Sequence, residues 1–319
     1  MPLSGLYGAG EVDRLAGDVE DGALAGPAGD AVGGRQEGAA VVRLIALDVD
    51  GTLLDSRWVV PDANRRALAA AAARGIEVVL ATGRRFEFAR PVVDQLDGPL
   101  TLIVNNGALV KSRDGRTLIR HMLPAATARR VLDDTRPFRP HLALVFDRAA
   151  ARQVIYERLD TSDPHQAAYV ERSRAFIDAV EPLEAALTED PIQLMYTGTI
   201  GAMRDLAGML RRLPYAGEFE VAATEYEAHD LSLIDVTCRG CSKGATLAEW
   251  AAHRGVPREA VMAVGDNLND RDMLEFAGVP VVMGNAVPEL RALGWPVTRT
   301  NDECGVADAI HRYALDGAA

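Results

Sequence analysis

The chain has 319 residues, 48% hydrophobic and 25% charged, which provides for two domains of ordinary size and excludes a disordered or fibrous protein. Its formal net charge is −12 and no Lys/Arg-rich block occurs, so nucleic acid and anionic membrane surfaces are not expected as partners. A small anionic substrate remains compatible with that charge, because a metal ion and a few cations can reverse the local field inside a cleft.

Residues 1–40 are rich in Gly, Ala and Asp without periodicity, and read as a disordered leader. They lack the basic-then-apolar pattern of a secretory signal, and no apolar run is long enough to span a bilayer, so the expected location is cytoplasmic. Order is predicted from Val41, where residues 41–47 form a nearly continuous apolar run suited to a strand buried on both faces. A helix follows over residues 61–74, with Pro61 at its start and Gly75 just beyond it, then strands at 76–81 and 100–104. Strand alternating with helix predicts a right-handed parallel α/β unit.

After about residue 110 the grammar changes. Strands are expected at 142–146, 153–156 and 192–196, helices near 125–135 and 200–212, and a strand at 231–236 whose alternation predicts one exposed face. From Ser242 the α/β pattern returns: a helix to Arg254 closed by Gly255, a buried strand at 260–264, a short strand at 279–283 and a C-terminal helix. The expected fold class is therefore α/β, a doubly wound parallel-sheet core at 41–122 and 236–319 interrupted by an inserted α+β domain at 123–235.

The chemistry-bearing residues sit just beyond predicted strands, where open α/β sheets place their working sites. Asp48-Val49-Asp50-Gly51-Thr52 follows the first strand; two carboxylates so close repel unless a cation relieves them, and a hard divalent ion such as Mg²⁺ is the natural partner. Thr82-Gly83-Arg84 ends the second strand with a hydroxyl and free backbone N–H groups, which suit an anion. Asp266 and Asp270, in Gly265-Asp266-Asn267-Leu268-Asn269-Asp270, are candidate metal ligands or supports for them. Lys243 opens a helix against its dipole, a placement that makes sense if its charge meets phosphate. Taken singly, each cluster could be an ordinary cap, turn or surface residue; four at equivalent structural positions indicate one site.

These motifs, in this order, resemble the haloacid dehalogenase superfamily of phosphatases. Further matches at Asn105-Asn106-Gly107-Ala108, Met283-Gly284-Asn285-Ala286 and Asn301-Asp302-Glu303-x-Gly305-Val306 resemble its Cof-type branch, over residues 43–312. Thr82 lies only 34 positions after Asp48, whereas Lys243 lies 161 positions after Thr82, which resembles the C2-capped arrangement of subclass IIB. The resemblance implies that Asp48 is the nucleophile and forms an aspartyl-phosphate. Asp50 would be the acid and base, and Asp48, the Asp50 carbonyl and Asp266 would bind Mg²⁺. Thr82, Gly83, Lys243 and Asn269 would bind phosphate, with Asp270 supporting the metal loop. The implied function is a Mg²⁺-dependent phosphatase for small phosphorylated metabolites such as sugar phosphates. A phosphomutase or phosphotransferase on the same scaffold is the alternative, and a non-catalytic phosphate-binding regulator the second.

Cys238-Arg239-Gly240-Cys241 departs from the family pattern; zinc would need two more ligands, a redox pair would need a reactive thiol, and two idle thiols are the expectation. With Cys304 the three cysteines are too few for a disulfide framework, and the six histidines form no metal spacing. Specificity is expected from the inserted domain, with Glu225, Tyr226 and His229 as candidate lining residues.

Overall fold

The computed structural model describes residues 41–159, 170–171, 173–227 and 230–316; the expected leader at 1–40 and His229 lie outside them. Strand β1 (Leu44–Leu47) is wholly buried, and helix α1 (Asp62–Ala73) follows, with Pro61 at its N-cap. Next come β2 (Glu77–Ala81), α2 (Phe86–Val93) and β3 (Thr101–Val104). A hairpin of β4 (Leu109–Ser112) and β5 (Thr117–Arg120) then adds two antiparallel strands that the sequence pattern did not predict. Their residues are mixed, with Lys111 and Arg120 both reaching Asp147, so no apolar run marked them.

The inserted segment contains α3 (Ala125–Asp134), β6 (Leu142–Val145), β7 (Val154–Tyr156), β8 (Ile177–Ala179), β9 (Gln193–Gly198) and α4 (Ile200–Arg211). It closes with β10 (Phe219–Tyr226) and β11 (Leu231–Cys238). The chain returns through α5 (Lys243–His253), β12 (Val261–Gly265), α6 (Arg271–Phe276), β13 (Val279–Val282), α7 (Pro288–Arg291) and α8 (Gly305–Ile310).

Two sheets result. The core sheet has the order β13-β12-β1-β2-β3-β4-β5, and its first five strands are parallel. Parallel pairing buries both faces, which is why β1 and β12 read as unbroken apolar runs. Each fully buried Leu, Ile or Val there contributes roughly 1.5–3 kcal/mol. Because β1 lies between β12 and β2, the loops leaving the carboxyl ends of all three strands emerge side by side.

The cap sheet has the order β10-β11-β9-β6-β7-β8 and is antiparallel except for β7 with β8. The period of two divides its residues. Leu194, Tyr196, Ile234 and Val236 pack with α3 and α4 through Val131, Leu132, Met203 and Leu206. Gln193, Met195, Leu233 and Asp235 point the other way, into a cleft above the core loops. This corrects the expectation of an exposed face on β11: that face is covered, and Asp235 is 3% exposed. Strand β11 belongs to this sheet as far as Cys238, pairing with Phe219 there.

Candidate active site

The loop after β1 carries Asp48 and Asp50. Asp48 ends β1, its N–H held by the carbonyl of Val264 at 3.0 Å, and the chain turns through Gly51 at φ +83°. Only glycine fits: a Cβ at residue 51 would sit 2.4 Å from Asp266 Oδ2, besides the strain of that φ. The turn is clamped by residues from the Cof-type motifs. Asn285 donates to the Gly51 carbonyl at 2.8 Å, and Asn301 donates to the Leu54 carbonyl at 2.9 Å.

Lys243, at the first position of α5, is 1% exposed. Its ammonium donates to Asp48 Oδ1 at 2.6 Å and to Asp270 Oδ1 at 2.7 Å. These two carboxylates offset both burial and the unfavourable helix-start position. The other oxygen of Asp270 accepts from the backbone N–H groups of Asp266 and Asn267, both at 3.0 Å, so Asp270 holds the loop that carries Asp266. Asp266 Oδ1 accepts from Thr52 Oγ1 at 2.7 Å.

Three buried carboxyl groups thus crowd one ammonium, which is paired with two of them. Burial, with the charge of Asp270 against that of Lys243, pushes the Asp48 carboxyl up to about 7. Burial, then Asp48 and Asp270, raises Asp266 well above the usual carboxylate range. Although burial opposes its charge, Asp270 and Asp48 hold Lys243 above an ordinary lysine. Ligand oxygens of Asp48, Asp266 and Asp270 lie within 4.8 Å of one another. Both oxygens of Asp270 are engaged by Lys243 and the loop, whereas among the described residues Asp48 and Asp266 each keep an oxygen with no such bond. Excess negative charge and free hard oxygens fit a divalent cation between residues 48 and 266.

The other expected site residues are found around this cluster. Thr82 is buried at the end of β2, its hydroxyl accepting from the Arg84 N–H at 3.1 Å. Gly83 lines the cleft with Asp48, Asp50 and Asn269. Asn269 Nδ2 donates to Asn106 Oδ1 at 3.2 Å and to Thr224 Oγ1 of the cap at 3.3 Å. Of the expected lining residues, Tyr226 borders the cleft, while Glu225 is paired with Arg204 at 2.6 Å on the protein exterior.

Two groups escaped sequence reasoning. Arg84, grouped there with an anion-binding turn, grips Asp50 through Nε at 2.9 Å and through Nη2, and is braced by the Phe88 carbonyl at 3.1 Å and the Trp58 ring at 5.6 Å. Asp235 accepts from Asn106 at 2.6 Å and Gln193 at 3.0 Å. Burial, opposed by the Asn106 N–H, raises its carboxyl to about 7. The signal available for it was an acidic residue interrupting an apolar strand.

A profile of haloacid dehalogenase-like hydrolases matches residues 45–310. Phosphatase YwpJ of Bacillus subtilis (strain 168) is 31% identical over 292 residues, covering 83% of this chain and 98% of that one. Pyridoxal phosphate phosphatase YbhA of Escherichia coli (strain K12) is 27% identical over 86% of this chain and 99% of its own. Among solved structures, the phosphatase BT1666 of Bacteroides thetaiotaomicron superposes with a TM-score of 0.71 at 28% identity, covering 89% of this chain and all of that one. The chain belongs to the haloacid dehalogenase-like hydrolases, as a Cof-type phosphoric monoester hydrolase. Its α/β core with an inserted cap is the fold of that class. Among the described residues, no helix is long and apolar enough to cross a membrane.

Proposed function

We propose that the protein hydrolyses small phosphorylated metabolites, sugar phosphates foremost, through an aspartyl-phosphate on Asp48 with Mg²⁺ as cofactor. The observation that carries this reading is the meeting of Asp48 after β1, Asp266 and Asp270 after β12, and Lys243 at the start of α5 in one buried charge cluster. Asp48 and Asp266, with the Asp50 carbonyl, would hold Mg²⁺. When bound, the ion neutralises nucleophile and phosphate oxygens and polarises the phosphoryl group.

One carboxylate oxygen of Asp48 attacks phosphorus, forming an acyl-phosphate bond while the ester P–O bond breaks, and the other would remain with the cation. Asp50, fixed by Arg84, gives its proton to the departing alkoxide. It then takes one from water, whose oxygen attacks the phosphorus of the intermediate and releases orthophosphate and free Asp48. Lys243 orients the attacking carboxylate and supplies positive charge to the phosphoryl group, while Thr82, Gly83 and Asn269 bind its remaining oxygens. The cap excludes water from the closed cleft.

The test is release of phosphate from p-nitrophenyl phosphate with and without Mg²⁺. Activity that persists in excess chelator, or in Asp48→Asn, would sink the mechanism. A screen of metabolite phosphates should include hexose phosphates and pyridoxal 5′-phosphate, after which YbhA is named. Recovery of an isomeric sugar phosphate instead of orthophosphate would shift the reading to a mutase. Phosphate-analogue binding without turnover would shift it to a regulator.

A further inference from the structure

The hydrogen bonds across the cleft run in one continuous chain from the cap to the proposed phosphate site. Asp235 on β11 accepts from Gln193 Nε2 at 3.0 Å and from Asn106 Nδ2 at 2.6 Å; Asn106 Oδ1 accepts from Asn269 Nδ2 at 3.2 Å. Asp235, Gln193 and Asn106 are sealed from water, at 3%, 1% and 2% exposed. We propose that Asp235 is a positioning residue: acting through Asn106, it makes Asn269 present an N–H, and not its carbonyl, to the phosphoryl group. The proposal rests on the reading of Asn269 as a phosphate ligand.

Hydrogen-bond polarity sets the direction of the chain. Above its raised value of about 7 the Asp235 carboxyl is ionised and has no proton to give, so it can only accept. Asn106 must therefore turn its NH₂ toward Asp235 and its carbonyl toward Asn269. That carbonyl can only accept in turn, which forces Asn269 to present its NH₂. One N–H of Asn269 is anchored on Asn106, and the second, now directed at Thr224 Oγ1 at 3.3 Å, is free to move to a phosphate oxygen. Without the carboxylate, the two ends of the Asn106 amide are nearly equivalent sterically. In the reversed orientation its NH₂ would face Asn269, whose carbonyl would then turn toward an anion.

Asn106 has little other freedom. Its backbone is left-handed at φ +51°, pinned by its N–H to the Thr82 carbonyl at 3.1 Å, and its neighbour Asn105 is tied to the Arg84 carbonyl at 3.0 Å. Its amide lies against Gly83, where a Cβ would come within 3.1 Å of Nδ2. The residue is fixed in place, and only the sense of its amide is left to be decided.

A second observation supplies the control. Gln193 Oε1 is buried and has no hydrogen-bond partner among the described residues. A neutral isostere at position 235 can therefore be accommodated. In Asp235→Asn the side-chain carbonyl would stay on the Asn106 NH₂, and a turned Gln193 amide would offer Oε1 to the newly introduced NH₂. The amide variant should preserve the polarity that an apolar variant loses.

The experiment measures, at about pH 8.5 where Asp235 is ionised, inhibition by orthovanadate and hydrolysis of p-nitrophenyl phosphate by full-length protein with Mg²⁺, with melting temperatures alongside. In Asp235→Leu the inhibition constant should rise about tenfold and kcat/KM fall about tenfold, the scale of one hydrogen bond to a charged group. Asp235→Asn should stay within about twofold of wild type on both. Asn106→Gly, which keeps the positive φ without strain, should show the same loss as Asp235→Leu, and the double variant should lose no more than either. An unchanged inhibition constant in Asn106→Gly or in folded Asp235→Leu overturns the proposal, as do losses that multiply in the double variant. If Asp235→Leu does not fold, Asn106→Gly against Asp235→Asn decides alone. A wild-type protein that neither hydrolyses the ester nor binds vanadate would instead bring down the phosphatase reading itself.

Discussion

The two walls of the cleft solve opposite electrostatic problems. The core wall concentrates charge: Asp48, Asp266 and Asp270 around Lys243, with Arg84 on Asp50 beside them. The cap wall carries one buried carboxyl, Asp235, held by two neutral amides and flanked by Met195 and Leu233. On the core side each charge is positioned by another charge, so removing the cation of Lys243 leaves its carboxylate partners exposed to full repulsion. On the cap side a carboxylate is positioned by dipoles, and its loss disturbs orientation more than charge balance. The core wall thus has the charge that the proposed phosphoryl transfer requires, and the cap wall the dipoles that would direct it.

The largest effect should come from the core. Under the proposed mechanism Asp48→Asn removes the attacking oxygen, so kcat should fall by about 10⁴-fold or more in a stopped assay with p-nitrophenyl phosphate. Its melting temperature should not drop, because one of three crowded buried carboxyls has become neutral. A variant as active as wild type would erase the distinction between the walls. Next, Lys243→Met strands Asp48 and Asp270 without their shared cation and should cost about 3–5 kcal/mol in denaturant unfolding. Added Mg²⁺ should restore part of that loss, and no response to the ion would argue against a cation site at residues 48 and 266.

Arg84→Met probes the border between the walls. Freed of its guanidinium partner, Asp50 should be misaligned, lowering kcat by about 10- to 100-fold with KM little changed. A pure KM effect would instead assign Arg84 to substrate binding.

The cap carboxyl offers a pH signature. Its folded value of about 7 lies above the ordinary 3.8, so the folded state holds the proton more tightly than the unfolded chain. The stabilisation is full below the unfolded value and is lost as pH rises through the folded one. Relative to Asp235→Asn, wild type should therefore become less stable between about pH 4 and pH 7, by a few kcal/mol at most. Parallel melting curves for the two proteins across that range would show that Asp235 is not held in a desolvated site. The smallest effect is expected at the thiols. Cys238 is lowered by its hydrogen bond to Cys241, yet neither thiol touches the charge cluster, and the double Cys→Ser variant should keep kcat within about twofold.

What could be read along the chain follows this contrast. The apolar runs at 41–47 and 260–264 announced the buried parallel strands Leu44–Leu47 and Val261–Gly265, because burial on both faces leaves a continuous apolar run, although Val41 lies exposed ahead of the first. The clustering of Asp48, Asp50, Thr82 and Asp266 was legible because strand ends are where an α/β sheet exposes backbone and side chains to a ligand, and that of Lys243 because a lysine opening a helix works against its dipole. The hairpin of β4 and β5 was missed because edge strands with mixed residues carry no period.

The sequence by itself determined the order of the polar loops, the residue types they carry and the interruption by a cap, since those are set by local pattern and spacing. Only the tertiary structure decided that Arg84 turns to Asp50, that Glu225 faces outward to Arg204, and that Asp235 meets Asn106 from 129 positions away. Such pairings depend on how two sheets dock, and the direction of a side chain across a cleft leaves no periodic trace in the chain that carries it.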